Sequence, residues 1–187
     1  MHFPLQKAVA AVGLGLAALA TQAQPIAAPG TEGLAVVVLN GSTDVIATYL
    51  GTTASYSDDL YLGNTFIFNN HNTLPGTTVN LGTFAAGTEL IFSLLVNGNE
   101  IFYSGAASRN PDGLAHARVE ADGAGPGVTL VSFEDLFGNP EGINGFNDLS
   151  FSFSNTVSAP AVPEPETYAL MGAGLGLIAW LARRKKV

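Results

Sequence analysis

The stretch VTLVSFEDLFGNPEGINGFNDLSFSFSN, Val128 to Asn155, decides how this chain folds. It opens on a β-branched apolar run ending at Phe133. It closes on Leu149, Phe151 and Phe153 alternating with serines, the period of two that belongs to a strand with one buried face. Between them, Glu134 to Asp148 is rich in Gly, Asn and acids, the composition of a loop. Two strands therefore flank one acidic loop, and carboxylates and amides gather at the strand mouths. Glu134, Asp135, Asn147 and Asp148 are all oxygen donors, the ligand chemistry that calcium prefers. Their spacing is not that of an EF-hand, whose alternating ligands surround a central Gly. Two readings stand side by side: these four residues hold Ca2+, or they cap turns and bond backbone amides.

Upstream, similar signals recur. Glu89 to Val96, Asn97-Gly98 and Asn99 to Tyr103 read as a hairpin, because Asn-Gly accepts the two positive φ angles that match strand twist. Leu34 to Leu39 is an apolar run closed by Asn40-Gly41-Ser42, and with Val45 to Leu50 it is expected to form a second hairpin. Tyr56 to Leu62 and Thr65 to Phe68 are shorter candidates that precede the polar loop Asn69 to Thr73. Ala115 to Ala121 alternates small residues with His116, Arg118 and Glu120, so its polar face is expected to meet water or pair across a sheet. His116 beside Arg118 is the alternative place for a general base. About eight to ten short strands, turns every 8 to 12 residues or so, and no amphipathic helix give an all-β fold, an antiparallel β-sandwich of jelly-roll kind.

The two ends read differently. Lys7 precedes an uncharged run from Ala8 to Ala20, and small and polar residues follow through Ala23, the layout of a signal peptide over residues 1–23, removed by signal peptidase. Residues 24–33 then read as a linker, 34–155 as the β-sandwich domain and 156–161 as a second linker. Beyond these, the prolines of Pro163-Glu164-Pro165 block regular helix and leave the chain extended and exposed. From Tyr168 to Ala182 no residue is charged. Such a helix covers about 22 Å against a hydrocarbon core of about 30 Å. Arg183, Arg184, Lys185 and Lys186 follow at once and favour the cytoplasmic side, which makes 168–182 a single transmembrane segment with the body outside.

Setting the ends aside changes the charge. Of seven Lys and Arg, only Arg109 and Arg118 fall between residues 24 and 161, whereas of 15 acids only Glu164 and Glu166 fall outside. The body thus carries 13 acids against two bases, a net charge near −11 where the whole chain has −8. Such a surface repels nucleic acid and suits divalent cations or neutral sugars. There is no cysteine, so an exported body must be held by its core, with or without a metal.

In residues 162–187, the order of Pro163-Glu164-Pro165, an apolar helix and an Arg/Lys-rich terminus resembles the PEP-CTERM sorting domain. That resemblance implies handling by an exosortase, an integral-membrane transpeptidase-like enzyme of Gram-negative bacteria. It further implies transient anchoring in the inner membrane, then delivery to the cell surface or extracellular matrix. The mature protein is expected to begin near Gln24 and to lose its tail near Pro163 to Pro165. Residues 88–155 resemble the DUF4114 family, whose members carry Phe-Glu-Asp, a Gly-rich loop and an acidic segment leading into an apolar strand. Phe133-Glu134-Asp135-Leu136 and Phe146-Asn147-Asp148-Leu149 match, while Ile143 and Gly145 stand where the family has acids. What this implies is an exported β-rich domain of poorly defined activity.

The first expectation for function is a non-catalytic surface or matrix protein, retained with extracellular polysaccharide. A carbohydrate-binding module is the second. A glycosidase using Glu134 and Asp148 as its carboxylate pair is the third. No nucleophile with its base and no nucleotide-binding Gly loop is legible, so an enzyme is not expected.

Overall fold

A computed structural model of the chain describes residues 30–142, 145–160, 171, 173–175 and 177–178. In chain order its strands are β1 Thr31–Glu32, β2 Leu34–Val38, β3 Val45–Gly51, β4 Asp58–Leu62, β5 Thr65–Asn69, β6 Thr78–Gly82 and β7 Glu89–Leu90. There follow β8 Phe92–Val96, β9 Glu100–Tyr103, β10 Ala117–Glu120, β11 Val128–Phe133, β12 Leu149–Ser154 and β13 Thr156–Pro160. They make a six-stranded sheet in the order β1-β10-β11-β12-β3-β6, a three-stranded sheet β13-β2-β7 and a four-stranded sheet β5-β4-β8-β9. All pairings are antiparallel. The fold is all-β, with several antiparallel sheets packed on one core.

The Phe alternation of β12 fixes how the sheets meet. Phe151 stacks on Phe68 of β5 at 5.9 Å between ring centroids, and Phe153 stacks on Phe92 of β8 at 4.1 Å. These rings bring the six-stranded sheet against the four-stranded one, and Val36, Val38 and Leu90 carry the same core under the three-stranded sheet. Burying a Phe is worth about 1.5–3 kcal/mol, and truncating it to Ala costs about 3–5 kcal/mol once the cavity is counted. Tyr49 joins the same aromatic group, and its hydroxyl donates to the Asn70 carbonyl at 3.0 Å.

Several local expectations hold. Asn97 (φ 48°) and Gly98 (φ 71°) both turn left-handed between β8 and β9. Others change because pairing is long-range. Leu34–Val38 and Val45–Gly51 do not form a hairpin: β2 lies between β13 and β7, whereas β3 lies between β12 and β6. The segment between them instead crosses from one sheet to the other, held by Asn155. That residue sits at φ 56°, and its amide donates to the Asn40 and Thr43 carbonyls at 2.8 Å each while its Oδ1 accepts the Asn40 N–H at 2.9 Å. The apolar run from Glu89 breaks at Ile91, so β7 and β8 belong to different sheets. Residues 156–160, expected as linker, pair with β2 as β13, and Thr31–Glu32 of the first linker pairs with β10 as β1.

Ser150 and Ser152 of β12 do not face water. Ser132 and Ser150 are buried with their hydroxyl oxygens 2.9 Å apart. Arg118 lies in the same register row, opposite Ser132, and the Phe146 ring is 5.6 Å from its guanidinium carbon. The polar face of the strand is therefore covered too. At the termini, the signal peptide, Pro163, Glu164, Pro165 and Arg183 to Lys186 lie outside the described residues. Within segment 168–182 the described residues are helical and exposed. Among the described residues no helix is long and apolar enough to cross a membrane.

Candidate metal centre

Register builds this site. Phe133 stands opposite Leu149 in the β11–β12 pair, so the residues just past that rung must meet at one end of the sheet. Glu134 and Asp135 leave β11 there, and Asp148 enters β12. One carboxylate oxygen from each lies within 4.8 Å of the others, and all three side chains are buried. Asp148 Oδ2 accepts the Asp135 N–H at 2.8 Å, and Glu134 Oε1 accepts the Leu136 N–H at 3.0 Å. Glu134 Oε2 is buried without a hydrogen-bond partner. Gly145 makes room for it, because a Cβ at 145 would overlap that oxygen.

A fourth acid arrives from the other sheet. Asp58, the first residue of β4, is fully buried, and its carboxyl faces Asp135. Sequence reading missed it. The available signal was Asp58 in phase with Leu60 on the buried side of a strand, a position where a charge requires a partner. Asn147, in contrast, lines the same cleft but its Oδ1 accepts from the Thr53 hydroxyl at 2.5 Å. The cleft measures about 330 Å³ and is lined by Thr53 to Tyr56, Leu136, Glu141, Asn147 and the carboxylates of Asp135 and Asp148.

Electrostatics set this cluster apart. Burial first, then the facing Asp135 carboxylate, push Asp58 up to about 8. Burial likewise raises Asp148 to about 7, with Asp135 and Glu134 adding like charge. Glu134 and Asp135 are raised as well, again chiefly by burial. The charge that opposes this is His116.

Of the polar face expected to meet water or pair across a sheet, Arg118 pairs across to Glu32 of β1, and His116 does neither. It is fully buried and stacks on Phe102 at 3.7 Å between centroids. Its Nδ1 lies 2.9 Å from the Glu134 carbonyl oxygen, and its Nε2 lies 2.9 Å from Asp112 Oδ2. A carbonyl and a carboxylate thus occupy the two ring nitrogens. That leaves His116 no free nitrogen to act as a base. Arg118 is buried against Glu32 and the Gly30 carbonyl and takes no part in a site with it.

Chemically, a pocket of buried carboxylate oxygens can hold a hard divalent cation, which takes six to eight or so oxygen ligands. The residues fit that group: Glu134 Oε2 has no hydrogen-bond partner, and Asp58 Oδ1 has no N–H donor while its carboxyl meets that of Asp135, a contact that a shared proton or a cation would satisfy. Past β13 the chain runs into Pro163-Glu164-Pro165, the uncharged segment and four cations. Residues 161–186 match the PEP-CTERM protein-sorting motif. The PEP-CTERM match implies processing by an exosortase and sorting of an exported protein to the cell surface. No curated protein and no solved structure matches the chain. Nothing found supports the DUF4114 resemblance of residues 88–155.

Proposed function

We propose that this chain is a non-catalytic cell-surface or matrix protein whose β-domain holds Ca2+ and is retained with extracellular polysaccharide. One observation carries the reading of the body: Glu134, Asp135 and Asp148 converge beside an open cleft with the Asp58 carboxyl against Asp135, and neither Glu134 Oε2 nor Asp58 Oδ1 has an N–H donor. Glu134 is fully buried against Gly145, which supports a structural ion site over a glycosidase pair that a sugar must reach. A cation binding only the folded state adds about 2.7 kcal/mol at 100 times its Kd. The full chain in detergent is therefore expected to melt several degrees higher in millimolar calcium than in chelator at matched ionic strength. Coincident melting temperatures would remove the cation from the proposal.

Sorting is tested separately. Mass spectrometry of the protein from its native host should find an N-terminus near Gln24 and no Arg183 to Val187 tail on the exported form. A uniformly intact tail would sink the processing claim. A second reading, a carbohydrate-binding module, is favoured by the outer face of the four-stranded sheet. There Tyr61, Ser93 and Tyr103 lie in one register row, in an uncharged groove also lined by Ile91, Leu95 and Ile101. Binding of neutral glycans, lost in Tyr61→Ala, is the result that would establish it.

A further inference from the structure

We propose that Asp58 is a direct ligand of the cation, and that the bound ion fastens the four-stranded sheet to the six-stranded sheet. This rests on the cation reading above and extends it to a residue of another sheet. Two buried carboxylate oxygens have no N–H donor. Glu134 Oε2 comes from the end of β11, and Asp58 Oδ1 comes from the start of β4. Both side chains are 0 % exposed, so water does not solvate them as it would a surface carboxylate. Asp135 lies between: its oxygen is grouped with Glu134 and Asp148, and it faces Asp58.

Asp58 is also held in one orientation. Its N–H donates to Asn70 Oδ1 at 3.0 Å, and Asn70 Nδ2 donates back to Asp58 Oδ2 at 3.1 Å and to the Tyr56 carbonyl at 2.7 Å. Asn70 is itself buried, and its own carbonyl accepts from Tyr49. One carboxylate oxygen is thus held by Asn70, and the carboxyl as a whole meets that of Asp135, a contact that needs either a shared proton or a cation. Outer-shell partners that orient a ligand in this way are a general property of metal sites. Asn70 is a positioning residue here.

The electrostatic balance agrees. The only described histidine beside the cluster, His116, has its ring nitrogens against the Glu134 carbonyl and Asp112, not against any of the four carboxylates. Arg109 is engaged by Glu89, and Arg118 by Glu32 and Gly30. A divalent ion supplies the positive charge that these carboxylates face inward without.

Calorimetric titration of the full chain in detergent with calcium chloride, at fixed ionic strength, tests the assignment. Wild type is expected to bind, and Asp58→Asn to bind about tenfold or more weakly, the scale of losing an inner or outer ligand contact. Hydrogen exchange on the wild type provides a second readout that needs no variant. Calcium should slow exchange at the β4 amides as well as at the ends of β11 and β12. Unchanged affinity in Asp58→Asn, or protection confined to β11 and β12, overturns the role of Asp58 while leaving the cation site standing. Absence of any calcium binding by the wild type overturns both.

Discussion

Two groups of buried charge lie within one acidic body, and they are built in opposite ways. Around β7 and β10 bases meet acids: Arg109 grips Glu89 through both nitrogens at 2.6 and 3.1 Å, and His116 Nε2 lies 2.9 Å from Asp112. At the mouths of β4, β11 and β12, four carboxylates face one another. The first group satisfies itself on folding. The second sets like charges against one another, an arrangement that could hold a metal ion. Burial of charge therefore signals structure where the partners are side chains and signals a ligand where they are like charges.

The sharpest way to break this comparison is to remove a partner from each side. His116→Ala leaves Asp112 buried without its cation and empties the space against Phe102, so it should cost about 3–5 kcal/mol of unfolding free energy in denaturant melts. A loss under about 1 kcal/mol would show that this group is not the self-sufficient one.

Acid sharpens it next. Although burial acts to raise Asp112, hydrogen bonds from His116 and from the Gly138 and Leu114 N–H groups lower it to about 2. Its folded value lies below its unfolded value of 3.8, so the stability it provides is fully present above about pH 4 and is lost as pH falls through about 2. That amounts to about 2 kcal/mol, and Asp112→Asn should flatten this part of a pH-dependent melting curve. A variant curve that parallels the wild type would refute it.

The cluster should respond with the reverse sign. Asp148→Asn keeps an oxygen that can accept the Asp135 N–H while removing a buried charge. At pH 8 in chelator it is expected to raise stability by about 1 kcal/mol, since removing a like-charge burial is favourable. In millimolar calcium the same variant should lose most of the wild type's calcium-dependent gain. Equal shifts in calcium and in chelator would mean that the two groups do not differ in kind.

How much of this was legible in the sequence follows from the range of each interaction. The Asn97-Gly98 turn is readable because two positive φ angles are a local demand. Glu134, Asp135 and Asp148 are readable as a group because they flank two strands close in sequence, whose pairing needs only the loop between them. Asp58 is not: it reaches the same point from a different sheet, and no spacing rule connects it to Asp135. The break at Ile91, which sends β7 and β8 into separate sheets, is equally hidden, since both halves carry the same apolar pattern. His116 reads as solvent-facing by alternation, yet it stands one residue before β10 begins and turns inward onto Phe102.

The placement of β13 has a mechanical consequence. Its last rung, Pro160 opposite Leu34, adjoins the residue where the sorting motif starts, and the strand is the outer member of its sheet. A pull on the chain past Pro160 is delivered to that rung first and would open the pair from Pro160 toward Thr156 like a zip. Behind it stands Asn155, tied across 115 residues of chain to Asn40. The attachment point can peel by one strand before the load reaches a bond that holds the sheets together.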